Sequence, residues 1–316
     1  MKYRQVRTFA EAHAQGVTQV SFSPDGALLA SSDLSGKMCI WDPSTGELLH
    51  FYTAGTSILS LLWADSDTII CGLADGTIVK MIIGDQEDVS VEGKWCHAYP
   101  VEHLALTGRL LASGAHSEVF VWDMAQVGDL FALEREVDPP TTSGDEVLAT
   151  GLHWGTNRTH WRTSNILLVT YMSHGIYIRF SLCHPHCPRF RASSSLSPDA
   201  VHIAVANMVN GFDVYNLDTG AIVLSLFHKV GKQYPAPVLY VHGGNAILGG
   251  STAGVLDLWY VEGALSRKMQ TLPVPGEPHQ FTSGPPSFIR YLRGQSSLRN
   301  HGTWAPHFTS RRQANG

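Results

Sequence analysis

VTQVSFSPDGALLASSDLSGKMCIWD, residues Val17 to Asp42, holds three strand-like runs and the turns between them. Val17, Val20 and Phe22 lead into Ser23-Pro24-Asp25-Gly26. Proline presets φ for a turn and glycine tolerates φ > 0, so this stretch predicts a hairpin loop. Ala27 to Ser31 is a small, apolar run suited to a buried strand, and Ser35-Gly36 makes a second turn. Lys37 to Trp41 alternates polar and apolar, as a strand with one wet face does. Trp41-Asp42 and Ser44-Thr45-Gly46 close the unit, and Glu47 to Tyr52 offers a fourth strand.

The unit recurs. Gly76 to Met81 lies about forty residues beyond Gly36, and Ser117 to Asp123 about forty beyond that. His174 to Phe180, Asn210 to Tyr215 and Ala253 to Trp259 continue the series. Each follows a small-residue apolar run: Ile69 to Gly72, Leu110 to Gly114, Ile166 to Tyr171, His202 to Ala206 and Ala246 to Gly250. Four antiparallel strands repeated about six times at this period predict an all-β propeller, since a lone meander could not bury both its faces.

Ser23-Pro24-Asp25-Gly26, Leu28 to Ser32, Trp41-Asp42, Leu111 to Gly114 with Trp122-Asp123, and Ser197-Pro198-Asp199 resemble the WD-repeat β-propeller family. The resemblance covers about residues 3 to 272, and its later copies, such as Ser193 to Leu217, look like degenerate repeats of fungal WD-repeat proteins. It implies about six recognisable blades of an incomplete seven-blade ring. The family's Gly-His dipeptide survives as Ala12-His13, and Met81, Phe180 and Tyr215 stand where Trp41 stands. The buried His, Ser/Thr, Asp, Trp network of the family is expected to be complete in no repeat, with Asp33 and Ser35 at the Ser/Thr and Asp places of the first. In such propellers the N-terminal strand often completes the last blade; Lys2 to Phe9 looks like that strand, with a frayed terminus as the alternative.

The chain has 316 residues, 44% hydrophobic and 16% charged, enough for a large core in one domain. A net charge of -5 gives no electrostatic reason to expect nucleic acid or an acidic membrane as main partner. Five cysteines, an odd number, argue against a disulfide framework. No apolar run reaches the length of a membrane span, and the first residues lack the apolar core of a secretory signal. The expected compartment is cytoplasm or nucleus.

Asp138 to Asp145 reads as a loop, because paired prolines break a ladder. The fourth copy carries an insertion, Gly155 to Asn165, in which Trp161 with Arg158 and Arg162 suits a contact hot spot, against the alternative of a solvated loop. Cys183-His184-Pro185-His186-Cys187 invites a zinc reading, but adjacent ligand pairs flanking a proline do not close a tetrahedron, and an irregular connector is expected. The propeller is expected to occupy 1–272 and a low-complexity basic tail 273–316; after Glu277 the tail has five arginines and no acid.

No phosphate-binding glycine loop, dinucleotide fingerprint or nucleophile elbow is present. Of sixteen histidines, His13, His97, His103, His116, His153, His174, His202, His228 and His242 fall one or two per repeat, as a repeated architecture distributes them, and carboxylates stand singly. Asp75, at a turn, is expected to bond the turn backbone, as in the family. The reading is a non-enzymatic protein-interaction scaffold without cofactor or metal, an adaptor or substrate receptor binding other proteins or peptides rather than membrane, nucleic acid or small molecules. Its candidate contact residues are Tyr52, Tyr99, His116, His174, Asn210, His228, Lys229 and Tyr234, placed on one face by the family's geometry. The alternative is a propeller hydrolase or oxidoreductase with its site at the channel mouth.

Overall fold

The structure, a computed structural model, describes residues 7–9, 12–84, 89–125, 130–141, 146–155, 166–179, 193–207, 209–228, 236–251 and 253–273. They form six antiparallel sheets in two compact units divided near residue 141.

In the first unit, blade 1 is β1 (Val17–Phe22), β2 (Leu29–Asp33), β3 (Lys37–Trp41) and β4 (Leu48–Thr53), paired in that order. Blade 2 is β5 (Ile58–Trp63), β6 (Thr68–Leu73), β7 (Thr77–Ile83) and β8 (Val89–Trp95). Blade 3 is β9 (His103–Thr107), β10 (Leu110–Ala115), β11 (Glu118–Asp123) and β12 (Ala132–Glu136). In the second unit, blade 4 is β13 (Ala149–Gly155), β14 (Ile166–Tyr171) and β15 (Gly175–Arg179); its expected outer strand lies outside the described residues. Blade 5 is β16 (Ser194–Leu196), β17 (His202–Ala206), β18 (Gly211–Asn216) and β19 (Ile222–Phe227). Blade 6 is β20 (Val238–Val241), β21 (Ala246–Ser251), β22 (Val255–Glu262) and β23 (Leu265–Pro273).

The second strand of each blade is made of small and β-branched residues because it is covered on both faces. Alternation then sends the two faces into different cores. In blade 1, Ala30, Met38, Ile40 and Tyr52 face blade 2 and meet Ile58, Leu61, Ile69 and Met81. On the opposite face, Leu29, Cys39 and Trp41 are buried beneath Phe9, Ala12, Leu48 and Phe51. Ile70 and Ile78 of blade 2 pack on Val101, Leu111 and Trp122 of blade 3. In the second unit Ile166 and Leu168 meet Ile203 and Tyr215, and Phe212 and Val214 meet Val238, Ile247 and Trp259. Each such aliphatic side chain withdrawn from water contributes about 1.5–3 kcal/mol.

One expectation changes, and the strand expected at Lys2 to Phe9 lies mostly outside the described residues. The strand expected at Ala27 to Ser31 begins two residues later, because Ser23 closes its loop onto Leu28: the Ser23 N–H donates to Leu28 O at 2.9 Å and the Ser23 hydroxyl accepts the Leu28 N–H at 2.9 Å. Of Lys2 to Phe9 only Arg7 to Phe9 are described, and these are not strand; Phe9 lies edge-on to Trp41 with ring centroids 5.4 Å apart. The Cys183–Cys187 run, residues 156–165 of the insertion and the tail beyond Pro273 lie outside the described residues.

Candidate functional site

The first unit carries two buried hydrogen-bonded networks, each tying the segment before a first strand to the turn between second and third strands. In blade 1, register pairs Leu29 with Trp41, so Ser31 lies one pleat away on the same face. The Trp41 indole N–H donates to Ser31 Oγ at 2.9 Å, Ser31 lies 2.7 Å from His13 Nε2, and His13 Nδ1 lies 2.9 Å from Asp33. His13 thus bridges the two, one ring nitrogen toward the Asp33 carboxylate and the other toward the Ser31 hydroxyl. The other Asp33 oxygen accepts the Ser35 N–H, Ser35 hydroxyl and Lys37 N–H. The expectation of no complete network is therefore wrong: with the strand shifted by two residues, Ser31 and Asp33 fill the places assigned to Asp33 and Ser35. Burial alone raises the Asp33 pKa, but the bonds from Ser35, His13 and Lys37 outweigh it and hold it below the ordinary value.

Blade 3 repeats the device with a different acid. Trp122 donates to Ser113 Oγ at 2.7 Å, Ser113 sits 2.6 Å from His97 Nε2, and His97 Nδ1 sits 3.0 Å from Glu118. Glu118 also accepts the Ala98 N–H at 3.1 Å, and so clamps the loop before β9. Serine, histidine and acid in this order have the connectivity of a hydrolytic triad. Ser113, however, is 0% exposed and its oxygen already accepts an indole N–H, so no substrate carbonyl reaches it. The geometry serves rigidity.

Blade 2 fills the same places with sulfur and hydrocarbon. Ile69 pairs with Met81, which puts Cys71 where Ser31 stands, and Cys71 Sγ lies 3.7 Å from Met38 Sδ. In blade 6, Ile247 pairs with Trp259 and Gly249 takes the serine's place; a Cβ there would stand 2.2 Å from the Phe212 ring, which occupies the space.

These networks underlie a rim of stitched loops. The Leu34 N–H donates to Gly16 O, the Ser57 hydroxyl to Leu34 O, and the Ala74 N–H to Ser57 O. Cys96 and His97 donate to Gly76 O, Val101 to Leu73 O and Glu102 to Gly114 O. The Asp75 carboxylate accepts the Thr77 N–H at 3.0 Å, the turn role expected of it. Exposed on this rim are Leu34, Trp95 (62%) and Tyr99 (41%), with Tyr99 stacked on His116 at 4.6 Å between centroids. His116 adopts φ 57°, the left-handed turn conformation that turns its ring onto Tyr99.

Of the candidate contact residues, Tyr99 and His116 come together. Tyr52 does not belong: it lies in β4, 5% exposed, in the core shared by blades 1 and 2, because alternation along β4 turns it inward. Asn210 and His228 meet in the second unit, where the His228 N–H donates to Asn210 O at 3.0 Å. His228 is half-buried between Phe212 and Trp259, and burial, with the nearby Lys268 charge, lowers its pKa against the pull of Asp257. His174 is at the β14–β15 turn. Lys229 and Tyr234 lie outside the described residues. Leu34 and Trp95 were missed: each ends or follows a strand and gives no periodic signal, exposure being a property of the assembled loops.

Among the described residues no group of three or more His, Cys, Asp or Glu is placed to hold a metal ion, and no helix is long and apolar enough to cross a membrane.

Comparison with known proteins bears on residues 3–42, which match the WD domain, G-beta repeat family. The small ribosomal subunit protein RACK1y of Oryza sativa subsp. japonica is 32% identical over 74 residues, 23% of this chain and 22% of that protein. A probable cytosolic Fe-S cluster assembly factor of Schizosaccharomyces japonicus is 28% identical over 144 residues, 36% of this chain and 24% of that protein. The chain thus spans about a quarter or less of the length of these relatives. Among solved structures, U3-55K superposes with TM-score 0.69 at 12% identity, covering 84% of each chain. The WD40 repeats of RRP9 superpose with TM-score 0.67 at 13% identity, covering 84% of this chain and 83% of that one. At such identity the likeness shows the fold, a WD-repeat β-propeller.

Proposed function

Because the chain is a WD-repeat protein with the β-propeller fold, we propose that it is a non-catalytic binding platform, an adaptor or receptor subunit that holds a peptide or loop of a partner protein. The observation that carries this is the rim of blades 1 to 3. Large side chains stand exposed at Leu34 and Tyr99 on loops and at Trp95 at the end of β8, where the loop backbones are hydrogen-bonded to one another and anchored by buried networks. Rigid aromatic anchors bind at low entropic cost, and such residues dominate contact energies. The two serine-histidine-acid arrangements give no support to the hydrolase alternative, since their serines are buried. Cytoplasm or nucleus fits a protein of this class, and two relatives are named as ribosomal and cytosolic proteins.

The test is affinity purification of the full chain beside Trp95→Ala/Tyr99→Ala and, as control, Asp65→Ala/Asp67→Ala at exposed residues between β5 and β6. The rim variant is expected to lose at least one protein at tenfold or greater depletion that the control retains. Equal recovery of every protein by both variants overturns the assignment of the rim.

A further inference from the structure

The rim of the first unit sets aromatic rings beside carboxylates. In each of blades 1 to 3 the residue after the fourth strand donates its N–H to the backbone where the third strand begins: Ala54 to Gly36 O, Cys96 to Gly76 O and Val137 to Val119 O. These links gather the second-to-third-strand turns and the connections between blades at one end of the strands. Trp95 enters that end from β8. A Cβ on Gly76 would stand 3.3 Å from Trp95 Nε1, so the indole lies over the turn that carries Asp75. Four residues on, Tyr99 stacks on His116, and Glu118 clamps the Ala98 N–H between the two rings in sequence. The Val137 bond brings the exposed Asp138 to the Glu118 end of β11.

Charge on this rim has one sign. Segments 12–16, 33–37, 53–57, 73–77, 95–102, 114–118 and 136–141 hold Asp33, Asp75, Glu102, Glu118, Glu136 and Asp138. Among these described residues the only Lys or Arg is Lys37, whose ammonium donates to Ala12 O at 2.7 Å and lies 5.0 Å from the Phe51 ring centroid. Asp33 is buried and answered by His13 and its own turn, whereas Asp75 is exposed and accepts the Thr77 N–H. Carboxylates gathered on a protein surface attract cations and repel anions.

On the premise that this rim is the binding platform, we propose that the segment it holds is basic: a short stretch of a partner protein, rich in arginine or lysine, whose cations sit on the Trp95 and Tyr99 rings and against Asp75 and Asp138. An aromatic face attracts a cation through its quadrupole, and a ring beside a carboxylate offers one guanidinium both contacts. An acidic or phosphorylated segment meets like charge at the same carboxylates.

The experiment probes the full chain with an array of random short peptides, equally many at each net charge, at low ionic strength, where exposed charges are least screened. Strongly basic peptides are expected to give at least tenfold the signal of strongly acidic ones. Asp75→Asn/Asp138→Asn, which keeps an acceptor for the Thr77 N–H, is expected to cut that preference at least threefold. Glu47→Gln/Asp67→Asn makes the same charge change at the opposite end of the strands and is expected to leave it unchanged. Equal loss in both variants means that charge acts across the whole unit and overturns the proposal. So does a preference for neutral or acidic peptides, or none by charge. Trp95→Ala/Tyr99→Ala separates the two readings. If it abolishes binding of peptides that are not basic, the rim stands as the platform and its basic partner falls; if it leaves every signal unchanged, the rim falls as well. Asp138→Asn alone serves in the same way should the double variant shift the circular-dichroism melt.

Discussion

At the scale of residues, the two tryptophan networks are the most exacting feature. Trp41 and Trp122 are both buried, so Trp41→Ala and Trp122→Ala should each cost about 3–5 kcal/mol in urea unfolding. Ser113→Ala removes fewer atoms but leaves the Trp122 N–H and His97 Nε2 without their shared partner, for a cost of about 1–3 kcal/mol. Asp33 makes a signed prediction. Its folded pKa lies below its unfolded one, so its stabilisation is present above about pH 4 and is lost as pH falls through the folded value. The stability gap between wild type and Asp33→Asn should therefore narrow between pH 6 and pH 3; a constant gap would count against the network as drawn. The tryptophans were legible in the sequence because they end alternating strands. Their partners were not. His13 joins Ser31 and Asp33 across eighteen and twenty residues, and Glu118 enters from the third strand where an aspartate was sought at the turn.

At the scale of elements, strands and turns were legible and their neighbours were not. The glycine turns announced themselves, yet what each approaches is a tertiary fact. Gly76 has φ 87° and a Cβ there would stand 2.0 Å from His97 O, in the next loop of the rim. Gly26 has φ 73° but open space around it. Gly76→Ala should thus destabilise by clearly more than the roughly 1 kcal/mol expected of left-handed strain alone, while Gly26→Ala pays only the strain. A pair of thermal melts checks the order; equal shifts would show that the Gly76 contact does not matter. Tyr52 illustrates the same limit. It stood at the end of a strand and read as a loop residue, but β4 continues to Thr53 and its pleat turns the ring into the core. Tyr99 and His116 were legible as loop residues, and their stacking depends on a left-handed turn that composition does not reveal.

At the scale of the whole molecule, we propose that residues 1–272 form the propeller and 273–316 a separate segment; the β23 ladder runs to Pro273, paired with Val255. A chain ending at Pro273 should keep its far-ultraviolet circular dichroism, and loss of that signal would place part of the fold beyond the boundary. The repeat period announced six blades, whereas the division of the described chain into two compact units has no counterpart in composition. Within the first unit, the buried thiols make the opening of single blades measurable. Cys39 in blade 1 and Cys71 in blade 2 have pKa values pushed up by burial to about 11 and about 12, and Cys96 is buried just beyond β8. None can react with an alkylating reagent at neutral pH until its surroundings open. Labelling read peptide by peptide thus times the opening of each blade, a set of clocks installed by the packing, and separate rates at Cys39 and Cys71 would show blades that breathe one at a time.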